Sequence, residues 1–525
     1  METNDASTEA NELRRLAEEY GIEFLASVFD DMLDPRLVAN LPVEWARSNC
    51  LLPVRINGET CVLTCDPTQV SQQEYLALLI GEELRPVLTV RDVILQSIER
   101  CYYSKEDSPR EFLLDLSAQD QGLGVSQPKS DDLLQVAEKA PVTQFVNLIL
   151  LEAVKRGASD IHFEPFESKL RIRYRIDGVL YEQTSSPKHL EETLVSRLKV
   201  MARMDIAEKR LPQDGVARVR VGEREIDIRV STIPVAEGER VVLRLLNRDS
   251  TLLPLSVLGM SEVTLKLFES LLAESNGIIV VSGPTGSGKT TTLYAALGQL
   301  NASRKNILTI EDPIEYQLPN IGQIQVKPKI GLTFANGLRH ILRQDPDIIL
   351  VGETRDLETA EIAVRACLTG HLVFTTLHTN DAPSAVLRMV DMGVEPYLLA
   401  SSLRGVLAQR LVRKLCSECR TETTVSENDV APLGSTAACL LGKTIWTSVG
   451  CSVCLEGYRG RTGLFELMVL DQEMKEIIRS GHIGGEGLRC IAERKGMTSL
   501  LRDGISKVLE GITSLSEVTS VAGFG

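Results

Sequence analysis

Residues 169–176, KLRIRYRI, alternate between cationic and apolar side chains. A two-residue period places every second side chain on the same face of a strand, so the segment predicts a β-strand with one charged face and one apolar face. Asp177-Gly178 follows directly and is typical of the two-residue turn of a β-hairpin. Upstream, residues 140–159 are helix-compatible, with Pro141 suited to the first turn and Gly157 to the carboxyl end.

The second half of the chain has a different pattern, in which short apolar segments are separated by helix-compatible stretches. The apolar segments read GIIVVSG, NILTIED, DIILVGE and HLVFTTLH. Strands that alternate with helices indicate a mainly parallel sheet with helices on both of its faces. We therefore expect an α/β fold for this part of the chain.

The chain is long enough for several domains, and changes in pattern suggest their boundaries. Residues 104–132 are rich in Ser, Gly, Pro, Asp and Gln, which is typical of a linker. The predicted segments are an N-terminal domain (1–103), this linker (104–132), an α+β domain (133–248), an α/β core (249–410), a cysteine-containing insert (411–461) and a C-terminal helical region (462–525).

Composition narrows the class of protein. Of 525 residues, 43% are hydrophobic and 25% are charged, as in globular proteins. A net charge of −15 argues against binding a nucleic-acid backbone over the whole surface, although a local basic patch stays possible. No apolar run reaches the roughly 18 residues that span a bilayer. The acidic first residues lack a secretory signal, so we expect a cytoplasmic protein.

The segment GPTGSGKT follows one apolar strand and precedes a helix-compatible stretch, which is the context that a P-loop requires. Its glycines let backbone N–H groups face phosphates, with the positive end of the next helix behind them. Lys289 is predicted to bridge the β- and γ-phosphates of ATP, and Thr290 to offer its hydroxyl to Mg²⁺. The nucleotide-binding residues are predicted to be Gly283, Pro284, Thr285, Gly286, Ser287, Gly288, Lys289, Thr290 and Thr291.

Two later apolar strands end in acidic clusters, at the edge where doubly wound sheets bind ligands. Glu311 and Glu353 are the candidates for holding Mg²⁺-bound water or orienting an attacking water. The alternative for Glu353 is a simple cap on a helix that starts near Asp356, and Glu311 carries a similar alternative. Further acids nearby are Asp312, Glu315 and Asp347.

Charged side chains elsewhere have two interpretations each. The arginines of residues 169–176 form either a solvated sheet face or a surface that offers cations to the nucleotide of a neighbouring subunit. His371 and His378 bracket the strand HLVFTTLH; single histidines are usually structural, and their spacing is not that of a helical metal pair. The position of His378 beside the expected γ-phosphate favours a site role for it.

Four cysteines form a CxxC…CxxC set with metal-ligand spacing, because each pair can present two thiolates from one turn. Four thiolates leave no open position, so the site is predicted to hold a structural Zn²⁺; redox pairs or unliganded thiols are the alternatives. The predicted ligands are Cys416, Cys419, Cys451 and Cys454. The remaining cysteines lack a partner pattern and are expected to be packed or free.

These segments together resemble the secretion ATPase superfamily, most closely the type II secretion ATPase E family. The resemblance rests on GASDIHFEPFE, RLPQDGVARV, GPTGSGKTTTLYA, ILTIEDPIEYQ, LRQDPDIILVGETRD, TGHLVFTTLHTNDA and the paired CxxC motifs, and it covers about residues 133–525. It implies a multidomain α/β protein with a RecA-like P-loop ATPase core, a preceding α+β domain, an N-terminal docking domain and a tetracysteine zinc insert.

The resemblance also implies which residues form the site. It implies a homo-hexamer with nucleotide between the P-loop domain and the domain before it. Catalytic residues would be Lys289, Glu311 in the aspartate box, Glu353 in the Walker B motif and His378, with His371, in the histidine box. Arg229 is the best match to an arginine that reaches the nucleotide, followed by Arg210 and Arg244. The family commonly has arginine after LPQDG, where this chain has Val216, so a contact from that position is open.

By the same resemblance, the protein would dock through its N-terminal domain onto the cytoplasmic part of an inner-membrane platform protein, with only peripheral membrane contact. ATP hydrolysis would drive assembly of a pseudopilus that exports folded proteins. The alternatives are a type IV pilus assembly ATPase, a P-loop motor on nucleic acid, which the acidic composition disfavours, and a non-enzymatic zinc interaction module. Direct nucleic-acid binding is not expected.

Overall fold

The fold is that of a computed structural model, which describes residues 13–38, 41–103, 109, 141–221, 224–247, 252–300, 302–481 and 484–522. The chain forms two compact units, residues 1–249 and 250–525. Apart from residue 109, the predicted linker at 104–132 lies outside the described residues. Among the described helices, none combines the length and apolarity needed to cross a membrane.

The first unit begins with a four-stranded sheet in the order β1-β4-β3-β2. Its strands are β1 (Glu23–Phe24), β2 (Leu51–Ile56), β3 (Glu59–Thr64) and β4 (Arg85–Leu88). β2 and β3 form an antiparallel hairpin, while β4 runs parallel to β3 and β1. The helices that pack on this sheet are α1 (Val43–Asn49), α2 (Val70–Ile80) and α3 (Arg91–Tyr103).

A second, antiparallel sheet follows in the order β7-β6-β5-β10-β9-β8. Its strands are β5 (Asp160–Pro165), β6 (Lys169–Ile176), β7 (Val179–Pro187), β8 (Gln213–Val221), β9 (Arg224–Val235) and β10 (Gly238–Asn247), and its helices are α4 (Pro141–Lys155) and α5 (Glu191–Met201). The predicted hairpin is confirmed: β6 alternates buried and partly buried residues. Asp177 and Gly178 take positive φ angles of 49° and 89°, as a two-residue hairpin turn requires.

The second unit is built on a seven-stranded sheet in the order β13-β12-β14-β15-β11-β16-β19. Its strands are β11 (Gly277–Ser282), β12 (Ile307–Glu311), β13 (Gly322–Gln325), β14 (Ile348–Val351), β15 (Leu372–Leu377), β16 (Leu403–Leu415) and β19 (Tyr458–Val469). All neighbours are parallel except β16 and β19. The predicted mainly parallel sheet is therefore confirmed.

Helices cover both faces of this sheet. Along β11, Ile278 and Val280 belong to one apolar cluster, whereas Ile279 and Val281 belong to another. Because successive side chains of a strand point to opposite faces, each face of the sheet has its own core. The helices around the sheet are α6 (Glu262–Leu272), α7 (Lys289–Gln299), α8 (Phe334–Ile341), α9 (Leu357–Leu368), α10 (Ala382–Asp391) and α11 (Pro396–Ser402).

Strand β16 continues past the boundary suggested at residue 410 and leads into a small subdomain. This subdomain contains the antiparallel pair β17 (Thr421–Thr424) and β18 (Thr444–Thr447), together with α12 (Glu427–Val430). The segment 462–525, predicted to be helical, begins within β19 (Tyr458–Val469), and helices follow that strand. The last helices are α13 (Gln472–Ser480), α14 (Gly485–Arg494), α15 (Leu500–Leu509) and α16 (Leu515–Ala522).

A buried carboxylate on β19 joins the sheet to α10 and α15. Glu466 is 1% exposed. One of its oxygens accepts from the backbone N–H of Ala382 at 2.8 Å, and the other accepts from that of Leu500 at 3.2 Å. These N–H groups begin α10 and α15, where unpaired donors and the helix dipole both favour an anion.

Replacing Glu466 with alanine should strongly lower the stability of the protein, because two buried N–H groups would lose their acceptors. Each such loss costs about 1–3 kcal/mol. Glu466→Gln keeps one carbonyl oxygen and should lose less. Urea unfolding followed by far-UV circular dichroism measures the difference, and equal midpoints for the alanine variant and wild type would contradict the capping role.

Candidate nucleotide and zinc sites

The predicted P-loop lies between the carboxyl end of β11 and α7, which begins at Lys289. Gly288, at φ 87°, caps this helix in the left-handed region that favours glycine. A Cβ at Gly288 would meet the side-chain nitrogen of Gln409 at 2.8 Å, and one at Gly283 would meet the carbonyl oxygen of Gln409 at 2.4 Å. Glycine at both positions lets the loop lie directly on β16, in a cradle whose N–H groups suit a phosphate chain.

Lys289 lies folded over this loop. Its Nζ donates to the carbonyl oxygens of Gly283 at 2.8 Å and Pro284 at 3.0 Å. Burial lowers the pKa of the Lys289 ammonium; the charge of Glu353 raises it and that of Arg410 lowers it further. The ammonium is therefore a partly desolvated cation at the loop, a state that an anionic phosphate would stabilise.

Glu353 and His378 meet at the same edge of the sheet, after β14 and β15. Glu353 Oε1 lies 3.2 Å from His378 Nε2, and Oε2 lies 2.7 Å from Arg355 Nη2. Burial would raise the pKa of Glu353, but the hydrogen bond and charge of Arg355, with the charges of His378 and Lys289, lower it overall. The carboxylate is thus held as an anion beside Lys289.

The alternative role of Glu353 as a helix cap is wrong. The helix concerned is α9, and its first turn is capped by the side chain of Asp356, which accepts from the N–H of Thr359 at 2.8 Å. Glu353 instead bonds to Arg355 and faces His378. Its position leaves it available for chemistry at the sheet edge.

Glu311 has a different environment, although it also ends an apolar strand. It is 4% exposed and accepts from the hydroxyl of Tyr294, from Thr309 Oγ1 at 2.5 Å and from Gln323 Nε2 at 3.2 Å. These donors come from α7, β12 and β13. Burial, followed by the hydrogen bond to Glu311, raises the pKa of Tyr294 and keeps its proton in place. Glu311 therefore sits within a buried hydrogen-bond network that begins one helix turn after the P-loop.

The structure separates the two histidines of the predicted histidine box. His371 precedes β15 and His378 follows it, so they lie at opposite ends of a six-residue strand, about 20 Å apart. His371 Nδ1 contacts the carbonyl oxygen of Ala366 at 2.7 Å. Of these two histidines, His378 is the one at the edge that carries the P-loop.

The predicted arginines lie in the first unit. Arg229 of β9 is opposite Val216 and Arg244 in the sheet register. Arg244 Nε donates to Asp160 at 3.0 Å. Arg210 has a side chain that is 90% exposed, with Glu208 at 3.6 Å. Their approach to a nucleotide stays a prediction.

The arginines of β6 are not a bare solvated row, because buried carboxylates of β5 pair with them. Glu164 contacts Arg171 at 2.8 Å and Arg173 at 2.6 Å, and it also pairs with Arg240 of β10 at 2.8 Å. Arg175 lies 3.9 Å from Asp160. This charged face is therefore a cross-strand network of opposite charges.

Sequence reasoning missed three residues at the nucleotide edge: Asn380, Gln409 and Arg410. Gln409 is buried, and its side chain accepts from Thr292 Oγ1 at 2.8 Å. Arg410 Nη2 donates to Asn380 Oδ1 at 2.8 Å. Gln409 and Arg410 lie on β16, beside β11. Because both lie in the middle of β16 and only beside the end of β11, a search for residues at strand ends does not find them.

The four predicted zinc ligands come together. Their sulfur atoms all lie within 4.8 Å of one another. The sulfur–sulfur distances include 3.9 Å for Cys416–Cys451, 3.6 Å for Cys419–Cys454 and 3.5 Å for Cys451–Cys454. Zinc–sulfur bonds of about 2.3 Å place the sulfurs of a tetrahedral site roughly 3.8 Å apart. The donor set and spacing therefore fit a structural Zn²⁺.

Comparisons with known proteins follow the same division of the chain. The family model described as type II/IV secretion system protein matches residues 135–520, and the MshEN domain model matches residues 20–108. The chain belongs to the type II/IV secretion system protein family. Members of this family and the relatives below are secretion ATPases, and the chain is accordingly an ATP hydrolase.

Relatives favour type II secretion over pilus assembly. The type II secretion system protein E of Aeromonas hydrophila is 47% identical over 94% of this chain and 98% of its own length. The type II secretion system ATPase E of Vibrio cholerae is 49% identical over 81% and 84%. The type IV pilus assembly ATPase PilB of Myxococcus xanthus is 41% identical over 96% and 89%, so it is more distant than the first over a comparable length.

A solved structure supports the fold. The ATPase DotB of Legionella pneumophila superposes with a TM-score of 0.53 at 22% identity, covering 78% of this chain and all of that one. Together with the family match, this likeness confirms the predicted α/β fold with a P-loop ATPase core.

Cys416→Ser should remove most of the zinc from the purified protein and destabilise the subdomain, because three thiolates do not close a tetrahedral site. Cys439→Ser is the matched control, since Cys439 is an exposed free thiol outside the cluster. Elemental analysis should give about one zinc per chain for wild type and this control. An unchanged zinc content in Cys416→Ser would refute the ligand set.

Arg355→Gln should move the acid limb of the pH–rate profile of ATP hydrolysis to higher pH. The sequence predicts that Glu353 holds Mg²⁺-bound water or orients an attacking water, which the carboxylate does in its unprotonated form. The variant removes the contact that most lowers the pKa of Glu353. The carboxylate would then take up a proton at a higher pH. The rate of the variant near neutral pH should therefore be closer to that of wild type than its rate at acid pH. Arg365→Gln, which removes an exposed arginine paired with Glu361, is the control; an acid limb that stays in place would contradict the assignment.

Proposed function

We propose that this protein is a hexameric ATPase of a type II secretion system that uses ATP hydrolysis to assemble a pseudopilus and export folded proteins. The observation that carries the proposal is the convergence of Lys289, Glu353 and His378 at one sheet edge. There, Glu353 lies 3.2 Å from His378 and its charge acts on Lys289. ATP hydrolysis needs a cation that binds the phosphates and, next to it, an anion that orients the attacking water.

In this proposal the loop 283–291 binds the phosphates through its N–H groups and through Lys289, whose two carbonyl contacts would be exchanged for phosphate oxygens. Thr290 would hold Mg²⁺, which neutralises charge on the phosphate oxygens when bound. Glu353 would orient the attacking water, with His378 beside it. Glu311, held by Tyr294, would support this edge from within.

The assembly and location are part of the same proposal, which membership of the family supports. A homo-hexamer would place arginines of one chain, Arg229 foremost, near the nucleotide of another. The N-terminal domain would dock on the cytoplasmic part of an inner-membrane platform protein, so that the ATPase works in the cytoplasm as a peripheral protein. The zinc subdomain has a structural role. Binding to nucleic acid is disfavoured by the net charge of −15.

Type IV pilus assembly is the second candidate, because PilB is 41% identical over most of the chain. The higher identity to the secretion protein over a comparable length favours export as the output.

Lys289→Ala and Glu353→Ala should each lower the steady-state rate of ATP hydrolysis by about 100-fold or more, because each removes a charge that acts on the transition state. Lys266→Ala and Glu262→Ala are matched controls from an exposed ion pair of the same unit. They should retain turnover within about twofold, since exposed pairs contribute little.

The same variants can be tested in the native cell. Export of folded proteins should stop with Lys289→Ala and continue with Lys266→Ala. Loss of pili with normal export would select the pilus alternative, and wild-type hydrolysis in both Lys289→Ala and Glu353→Ala would overturn the catalytic assignment.

A further inference from the structure

Strand β16 brings two side chains to the P-loop that the motif itself does not contain. Ser282, the last residue of β11, is aligned with Ala408 of β16 in the parallel register. The residues that follow these two, Gly283 and Gln409, lie close together, because a Cβ on Gly283 would come within 2.4 Å of the carbonyl oxygen of Gln409. Arg410, the next residue of β16, therefore lies beside the start of the P-loop.

The two side chains point to different sides of the strand. Gln409 reaches the helix after the P-loop, where it accepts from Thr292. Arg410 reaches the loop after β15 and donates to Asn380, two residues beyond His378. Arg410 thus lies between the P-loop and the segment that carries His378.

The contacts of Arg410 do not neutralise its charge. Its acceptor on Asn380 is a neutral amide, and its Nε is buried without a hydrogen-bond partner. The acid that acts on it is Asp381, whose carboxylate is already bound to Arg489 at 2.7 Å and to the N–H of Ser384 at 2.7 Å. A partly buried guanidinium without a carboxylate is unfavourable unless an anion joins it.

A second cation in the same region makes this arrangement more costly. Burial lowers the pKa of Arg410, and the charge of Arg410 contributes to the lowered pKa of Lys289. Two partly desolvated cations therefore repel one another across the P-loop edge. One polyanion between them would relieve both desolvation and repulsion.

We propose that Arg410 is a further phosphate-binding cation of the nucleotide site, which exchanges its contact with Asn380 for an oxygen of the phosphate tail when ATP binds. This inference rests on the proposed function. The guanidinium fork suits phosphate oxygens, and the unpartnered Nε supplies a donor that Asn380 does not use. The competing role is a tether, in which Arg410 only holds the loop of His378 through Asn380.

Substitutions at both ends of the Arg410–Asn380 contact separate these roles. Equilibrium binding of the non-hydrolysable analogue AMP-PNP with Mg²⁺ is measured on the full-length protein. Arg410→Gln should raise the Kd by about 10- to 100-fold, the range for one lost hydrogen bond to a charged group. Arg410→Lys, which keeps the charge but not the fork, should fall between this variant and wild type. Asn380→Ala should bind within about threefold of wild type, because it frees Arg410 without removing it.

Each result bears on the inference. Equal losses in Arg410→Gln and Asn380→Ala would establish the tether and overturn it, as would unchanged binding in Arg410→Gln. Thermal unfolding without nucleotide shows whether each variant folds. If Arg410→Gln does not fold, the other two variants decide. Wild-type binding by Arg410→Lys together with weakened binding by Asn380→Ala would then overturn the inference. Absence of AMP-PNP binding to wild type would instead contradict the proposed function, and Lys289→Ala marks the level expected for a disabled P-loop.

Discussion

The contact between the P-loop and β16 is the constraint on which the nucleotide edge depends. Gly283 and Gly288 lie so close to Gln409 that neither could carry a Cβ without displacing it. The loop is thereby held against the sheet. Thr292 strengthens this support from the helix side through its bond to Gln409. The P-loop is therefore positioned by a strand far from it in sequence as much as by its own glycines.

Local patterns predicted the helices and strands of the chain well, because the spacing of apolar residues and the residue types of turns depend on neighbouring residues. The alternation in residues 169–176 and the turn at Asp177-Gly178 fixed a hairpin, and apolar runs identified the parallel strands. The order of strands and the addition of β16 and β19 to the sheet depend on packing between distant segments. The tetracysteine site could be predicted because each cysteine pair has a local spacing. Asn380, Gln409 and Arg410 were not found, because distant segments bring them together.

The two candidate glutamates illustrate where a sequence pattern stops being informative. Glu311 and Glu353 both follow apolar strands at the same edge, so their local sequences predict the same role. Tyr294 and Gln323 enclose Glu311 in hydrogen bonds, while Arg355 and His378 keep Glu353 charged at a more exposed position. The difference arises from side chains brought in by other elements, which only the folded chain supplies. It favours Glu353 as the group that meets water.

The same reasoning orders the arginines that the proposed hexamer would use. A cation can serve a neighbouring chain only if its present contacts can be exchanged at low cost. Arg244 donates to Asp160, a 9% exposed carboxylate whose desolvated charge would then be left with less compensation. Arg210 contacts Glu208 loosely at 3.6 Å with its side chain largely in solvent, so little interaction energy is lost when it moves. Pairing within the chain therefore favours Arg210 over Arg244 as a cation for the nucleotide of a neighbouring chain. The resemblance to the family does not distinguish these two arginines.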